Sequence, residues 1–152
     1  TAEGYVHRLW EPLASKHRPA NEYGAKFSTP FNIAVAFMTG GAGLDAFTDA
    51  NVRDERILAL AAKVAYRVDP DNPYPRRYTG HVKATLRDGR VIEERQSHIR
   101  GGVDEPLSRA EIAQKFIGNA QYGGWSEERA RMFLAQMPSF FDRTIDLRAR
   151  RG

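Results

Sequence analysis

The stretch His81-Val82-Lys83-Ala84-Thr85-Leu86-Arg87-Asp88-Gly89-Arg90-Val91-Ile92 decides the fold class. Val82, Ala84 and Leu86 alternate with polar neighbours, the period of a strand with one face turned inward, and Asp88-Gly89 predicts the two-residue loop of a type I′ turn before the chain returns. This is a β-hairpin. Its return arm, residues 90–99, carries Glu93, Glu94 and Arg95, so one face is expected in solvent. Just upstream, residues 69–77 hold Pro70, Pro73 and Pro75, which lack the N–H a central strand needs, and this segment reads as a surface loop. The alternation of Val64, Tyr66 and Val68 predicts another strand, and residues 4–13, with Val6, Leu9 and Trp10 among polar neighbours, read as a short one.

Helical signals flank these strands. Pro30 stands where a first helical turn tolerates it, and Ile33, Ala34, Phe37 and Met38 follow at helical spacing, which predicts a mostly buried helix over residues 29–39. Gly40 suits the left-handed position just past its end. A second helix is expected from Asn51, with Asp54 three residues on, through Ile57, Leu58, Leu60, Ala61 and Val64, changing to strand near Ala62. Ser108-Arg-Ala-Glu111 is a capping box ahead of Ile112, Phe116, Ile117 and Ala120. Ser126 opens a further helix with Glu127 and Glu128 on its N-terminal dipole and Met132, Phe133 and Met137 on its inward face, and a short helical tail is expected over residues 140–148. Hairpin-connected strands with helices gathered toward both ends of the chain predict an α+β two-layer sandwich, a mainly antiparallel sheet with helices packed on one face.

The chain has 152 residues, 41% hydrophobic and 28% charged, which suits one α+β domain with a single core over residues 1–152. With no cysteine, a disulfide framework, a thiolate metal centre and a thiol nucleophile are all excluded. No apolar run approaches the ~20 residues of a membrane span. A cytoplasmic location without membrane or nucleic-acid partners is expected. Twenty-three basic residues face 19 acidic ones, a net charge of +4, and the densest basic group is Arg143, Arg148, Arg150 and Arg151 in the tail, without the interleaved aromatics of a single-strand stacking platform. The chain opens on Thr1 with neither an initiator Met nor a signal-type apolar segment, which suits a piece of something longer.

Local motifs for chemistry are sparse. The glycines after Thr39 are followed by no Gly-Lys-Ser/Thr and do not open a helix after a strand, so a helix C-cap accounts for them better than a phosphate cradle. His7, His17, His81 and His98 lack metal-ligand spacing; His81 and His98 flank the hairpin and face one another across it in the simplest drawing. Ser28, Ser97 and Ser108 have no local partner that marks a nucleophile. Lys115 reads as a surface lysine snorkelling past Phe116. Lys26-Phe-Ser-Thr-Pro-Phe31 is the informative stretch: a lysine and a hydroxyl just before a helix N-terminus bring positive charge and free N–H donors together, a fitting place for a carboxylate. The structural alternative makes Ser28 or Thr29 the N-cap and leaves Lys26 in solvent.

Taken together, Tyr23-Gly-Ala-Lys-Phe-Ser-Thr-Pro-Phe-Asn-Ile-Ala-Val-Ala, the glycine-rich turn with Asp45-Ala-Phe-Thr-Asp, the Asp88-Gly89 hairpin and the run from Gly101 through the capping box to Phe116 resemble the C-terminal portion of the MmgE/PrpD family. The family includes 2-methylcitrate dehydratase, cis-aconitate decarboxylase and iminodisuccinate epimerase. The resemblance implies a two-domain enzyme in which a large helical domain, absent from this chain, is closed over by a smaller α+β lid domain that this chain mostly represents. It implies proton abstraction next to a carboxylate of a small di- or tricarboxylate followed by elimination, as in a dehydratase-like lyase, without a metal or organic cofactor, and a homodimer in the intact protein. The principal acid–base residues would lie outside this chain, leaving the isolated fragment inactive. Lys26 and Ser28 then stand as substrate-binding candidates, and Phe31 occupies a position often held by Tyr; lacking a hydroxyl, it offers no proton to transfer. Two other readings are an independent α+β module binding RNA or an acidic partner, and a family member that has lost activity.

Overall fold

The computed structural model describes residues 1–141, and the chain divides into two compact units, Thr1–Pro106 and Leu107–Gly152. The first unit is α+β, with a two-stranded antiparallel sheet, and the second is helical over its described residues.

The first unit opens with a 3₁₀ turn, Glu3–Tyr5, and a π-helical turn, Val6–Trp10, where a strand was expected. The spacing of Val6, Leu9 and Trp10 is closer to a helical period than to alternation, and the chain winds to bury Trp10, whose indole packs 5.1 Å from the Tyr66 ring and donates to Thr1 Oγ1 at 3.1 Å. Five short helices follow: α1 Leu13–His17, α2 Glu22–Lys26, α3 Thr29–Thr39, α4 Asp49–Val52 and α5 Glu55–Ala61, with a 3₁₀ turn at Leu44–Ala46. Four of them begin at a side-chain cap: Asn21, Ser28, Thr48 and Asp54 each accept a backbone N–H of the first turn.

Asp54 corrects one expectation. In place of a capping-box partner inside one continuous helix, it takes extended backbone (φ −71°, ψ 110°) and caps α5, accepting from Arg56 N at 2.8 Å, so two helices meet there. The core of the unit gathers Ala25, Phe31, Ala34, Val35, Ala46, Val52, Ile57, Leu58 and Ala61. The buried stripe of α3 is Pro30, Phe31, Ala34 and Val35, one position away from the expected one, and Phe37 and Met38 are largely exposed. Gly40 ends α3 at φ 82°, the left-handed conformation that a side chain would disfavour.

Residues 64–68 join no strand. The backbone at Arg67 and Asp69 bonds to Thr1, with Thr1 N donating to Arg67 O at 2.8 Å and Asp69 N to Thr1 O at 2.9 Å, and Asp69 O accepts from Asn72 N at 3.2 Å in the turn that follows. The alternating Tyr66 is used instead to cover Trp10 and donate to Glu11 Oε1 at 2.7 Å. Residues 69–77 form the expected loop, and Tyr74 and Tyr78 from this region pack with Tyr5, rings 4.5 and 6.2 Å away from it. Burial, then the two neighbouring tyrosines, push the Tyr5 phenol up from its ordinary pKa.

The hairpin pairs β1 Gly80–Thr85 with β2 Val91–Gln96, from Gly80 opposite Gln96 to Thr85 opposite Val91. The loop has three residues, not two: Leu86 N bonds Arg90 O at 2.8 Å, Gly89 N bonds Leu86 O at 3.0 Å, and Gly89 alone takes positive φ, 84°. A type I′ turn would force Asp88 into the left-handed region too; the longer loop confines that cost to the glycine. Val82 and Ala84 share a sheet face with Glu94 and Ile92, and with Ile33, Ala36 and Phe37 of α3 they line a cavity of about 230 Å³. A helix thus lies on one face of the sheet. Every residue of β2 is exposed, so the solvated character extends beyond the single face expected.

In the second unit, α6 Arg109–Tyr122 starts at the anticipated capping box: Glu111 N donates to Ser108 Oγ at 3.2 Å and Ser108 N to Glu111 Oε2 at 2.8 Å. Helix α7, Glu127–Gln136, is capped by Ser126, and a 3₁₀ turn, Met137–Phe141, follows. Phe116, Trp125, Phe133 and Phe140 form an aromatic cluster with ring separations of 5.3–6.4 Å, and the Arg129 guanidinium lies 4.2 Å from the Trp125 ring. Ile112, Met132 and Met137, expected on inward faces, are exposed; Ile117 and Ala130 are the buried positions. The helical tail expected over residues 140–148 falls mostly, and the tail arginines fall entirely, outside the described residues.

Candidate functional site

The turn joining α2 to α3 is where Lys26, Ser28 and Phe31 meet. Helix α2 has five residues, too few to be stable alone, so its position is set by what holds its ends. Asn21 caps the start through Gly24 N at 2.8 Å. Asn32 reaches back from α3, its Nδ2 donating to Ala25 O at 3.0 Å and Ser28 O at 2.6 Å.

Ser28 is fully buried and is the N-cap of α3. Its Oγ accepts from Phe31 N at 3.1 Å and donates in a short hydrogen bond to the carbonyl of Lys16 in α1. One hydroxyl therefore satisfies an orphan N–H at the start of α3 and an orphan carbonyl near the end of α1. Its single proton is committed to Lys16, so a bound carboxylate would find no donor there. The structural alternative raised for Ser28 is the arrangement observed.

Lys26 is the last residue of α2 and is exposed, its Nζ 6.0 Å from the Phe47 ring centroid and without an ion-pair partner among the described residues. The Phe31 ring is fully buried, 6.4 Å from Phe47. The turn thus sets a solvent-exposed ammonium two positions before the Ser28-capped start of the eleven-residue α3, with Phe47 near both the ammonium and the buried Phe31 ring.

Two residues gave no functional signal at the sequence level. Lys16 lies in α1 and is half-buried; its Nζ donates to Phe27 O at 2.7 Å and Arg8 O at 2.6 Å. Arg8 places its guanidinium 5.3 Å from the Phe27 ring. Neither contact leaves a spacing in the sequence, because both close over a turn between elements.

The remaining candidates separate. His81 Nε2 lies 2.8 Å from Glu93 Oε1, and that contact, then the Arg95 guanidinium, holds the Glu93 carboxyl below its ordinary pKa. His98 Nδ1 pairs with Asp104 at 3.3 Å and His17 Nε2 meets Val64 O at 2.9 Å, so the two hairpin histidines engage carboxylates and not each other. Among the described residues no group of three His, Asp or Glu could hold a metal ion. None of their helices is long and apolar enough to cross a membrane.

Fold and turn together define an α+β domain that presents a cationic junction at the head of its buried helix. The MmgE/PrpD C-terminal domain profile matches residues 5–137, and the chain belongs to the MmgE/PrpD family. It is 26% identical over 103 residues to cis-aconitate decarboxylase from Homo sapiens and 28% identical over 104 residues to cis-aconitate decarboxylase from Mus musculus, covering 67% of this chain in each case. The chain spans about a fifth of the length of these relatives, with 21% of each matched.

Proposed function

We propose that this chain is the C-terminal lid domain of an MmgE/PrpD-type lyase that takes a small di- or tricarboxylate, abstracts a proton beside a carboxylate and eliminates a leaving group, as a 2-methylcitrate dehydratase does. The observation that carries this reading is the family match over residues 5–137, and relatives named for action on a tricarboxylate support the substrate class. In this reading the acid–base residues belong to a preceding helical domain, the intact enzyme is a cytoplasmic homodimer, and the lid contributes charge. Lys26 is the contact to a substrate carboxylate: an exposed ammonium without an ion-pair partner among the described residues, two positions before the N-cap of α3, complements a carboxylate. Ser28 holds the turn in shape, and Phe31 anchors the start of α3 in the core.

The test is turnover by the full-length gene product against citrate, 2-methylcitrate, cis-aconitate and iminodisuccinate, followed by proton NMR. Turnover of one of them is expected, and Lys26→Met should raise its KM about tenfold or more, the worth of a charge-assisted hydrogen bond. Silence toward every di- and tricarboxylate overturns the reading.

A further inference from the structure

We propose that Lys16 is a positioning residue for the carboxylate site, an inference that rests on Lys26 being the site's cation. Lys16 grips the α2–α3 turn with both of its polar ends. Its ammonium donates to Phe27 O at 2.7 Å, the carbonyl one residue past Lys26, and its own carbonyl accepts the short hydrogen bond from Ser28 Oγ. The same ammonium donates to Arg8 O at 2.6 Å, which ties the turn to the π-helical segment as well. Lys16 has no carboxylate partner among the described residues; main-chain carbonyls take its charge, one at the C-cap of the five-residue α2 and one in the π-helical turn. A half-buried ammonium on two carbonyls makes charge-assisted bonds of roughly twice the ordinary strength.

The consequence reaches Lys26 through the backbone. Helix α2 is too short to hold its own orientation, so the end that carries Lys26 is placed by Asn32 from one side and by Lys16 from the other. Asn32 fixes Ala25 and Ser28; Lys16 alone fixes the Phe27 carbonyl among the described side chains. The N–H of the Phe27–Ser28 peptide donates to Ala25 O at 3.1 Å, so losing Lys16 removes one of the peptide's two anchors and loosens the turn that follows Lys26.

The experiment is a double-mutant cycle in the full-length enzyme with the substrate identified above. Lys16→Met is expected to raise KM about fivefold, the effect of misplacing a binding group by a fraction of an ångström to an ångström, with kcat within about twofold. In a Lys26→Met background the same change should leave KM unaltered, because its effect passes through Lys26. Lys16→Arg, which keeps cationic donors on a long stem, should restore KM to within about twofold of the parent. An unchanged KM in folded Lys16→Met, or an effect that persists undiminished without Lys26, overturns the inference. A silent Lys26→Met overturns the site reading itself, so the two failures are distinct. Should Lys16→Met not fold, Lys16→Gln, with its shorter uncharged donor, takes its place under the same criteria.

Discussion

Replacing Ser28 with alanine removes one oxygen and strands two backbone groups. Losing a serine N-cap costs about 1 kcal/mol. The Lys16 carbonyl also loses its donor in a part-buried setting, a penalty of about 1–3 kcal/mol, so Ser28→Ala should destabilise the first unit by about 2–4 kcal/mol. That is a large share of the ~5–15 kcal/mol available to a typical domain. The assay is urea unfolding followed by fluorescence of Trp10, with Trp125 replaced by phenylalanine so that only the first unit reports. With a urea slope of about 2 kcal/mol/M, the midpoint should fall by about 1–2 M. Ser28→Cys, with a weak donor and acceptor, should fall between parent and alanine. A loss below about 0.5 kcal/mol would refute the reasoning, since a surface cap alone accounts for that much.

Two further outcomes follow from buried and charged groups elsewhere in the first unit. The Asp54 carboxyl, hydrogen-bonded by Arg56, is held at about 2 against an ordinary 3.8. The depressed folded value means its stabilisation is fully present above pH 3.8 and is lost as pH falls through about 2; an NMR titration of its carboxyl carbon with a midpoint at 3.8 or higher would contradict this, and Asp54→Asn should keep the cap while removing that pH dependence. Phe31→Tyr places a hydroxyl at a fully buried position against Phe47 and should cost about 1–3 kcal/mol in urea unfolding unless it finds a partner, so an unchanged or raised midpoint would show that the ring can turn its hydroxyl out toward the site.

Where local chemistry alone sets an element, the sequence carried it. Pro30 and Gly40 bracket α3 at the residues predicted, and the Ser108/Glu111 box starts α6 where expected, because a cap acts within one turn of the chain. The hairpin was legible for the same reason, but its loop length was not: choosing between two and three residues depends on whether Asp88 accepts left-handed backbone, a small energy that alternation does not encode. The two misassigned strands failed at longer range. Val6, Leu9 and Trp10, and separately Val64, Tyr66 and Val68, are patterns whose outcome is decided by Trp10 packing on Tyr66 across 56 positions of sequence. The candidate turn divides in the same way. That Lys26, Ser28 and Phe31 stand together was legible because they share one contiguous stretch, though the capping duty that takes Ser28's hydroxyl depends on Lys16, which bonds through carbonyl oxygens that every residue has and no sequence pattern marks.

The main hydrophobic cluster of the first unit is drawn from residues 25–61, a stretch that precedes the hairpin in chain order. Its contacts therefore close short loops, at an entropic cost that grows only with the logarithm of their length. On the ribosome, this segment can collapse onto α3 before residue 80 is synthesised, and the strands then add to a surface already formed.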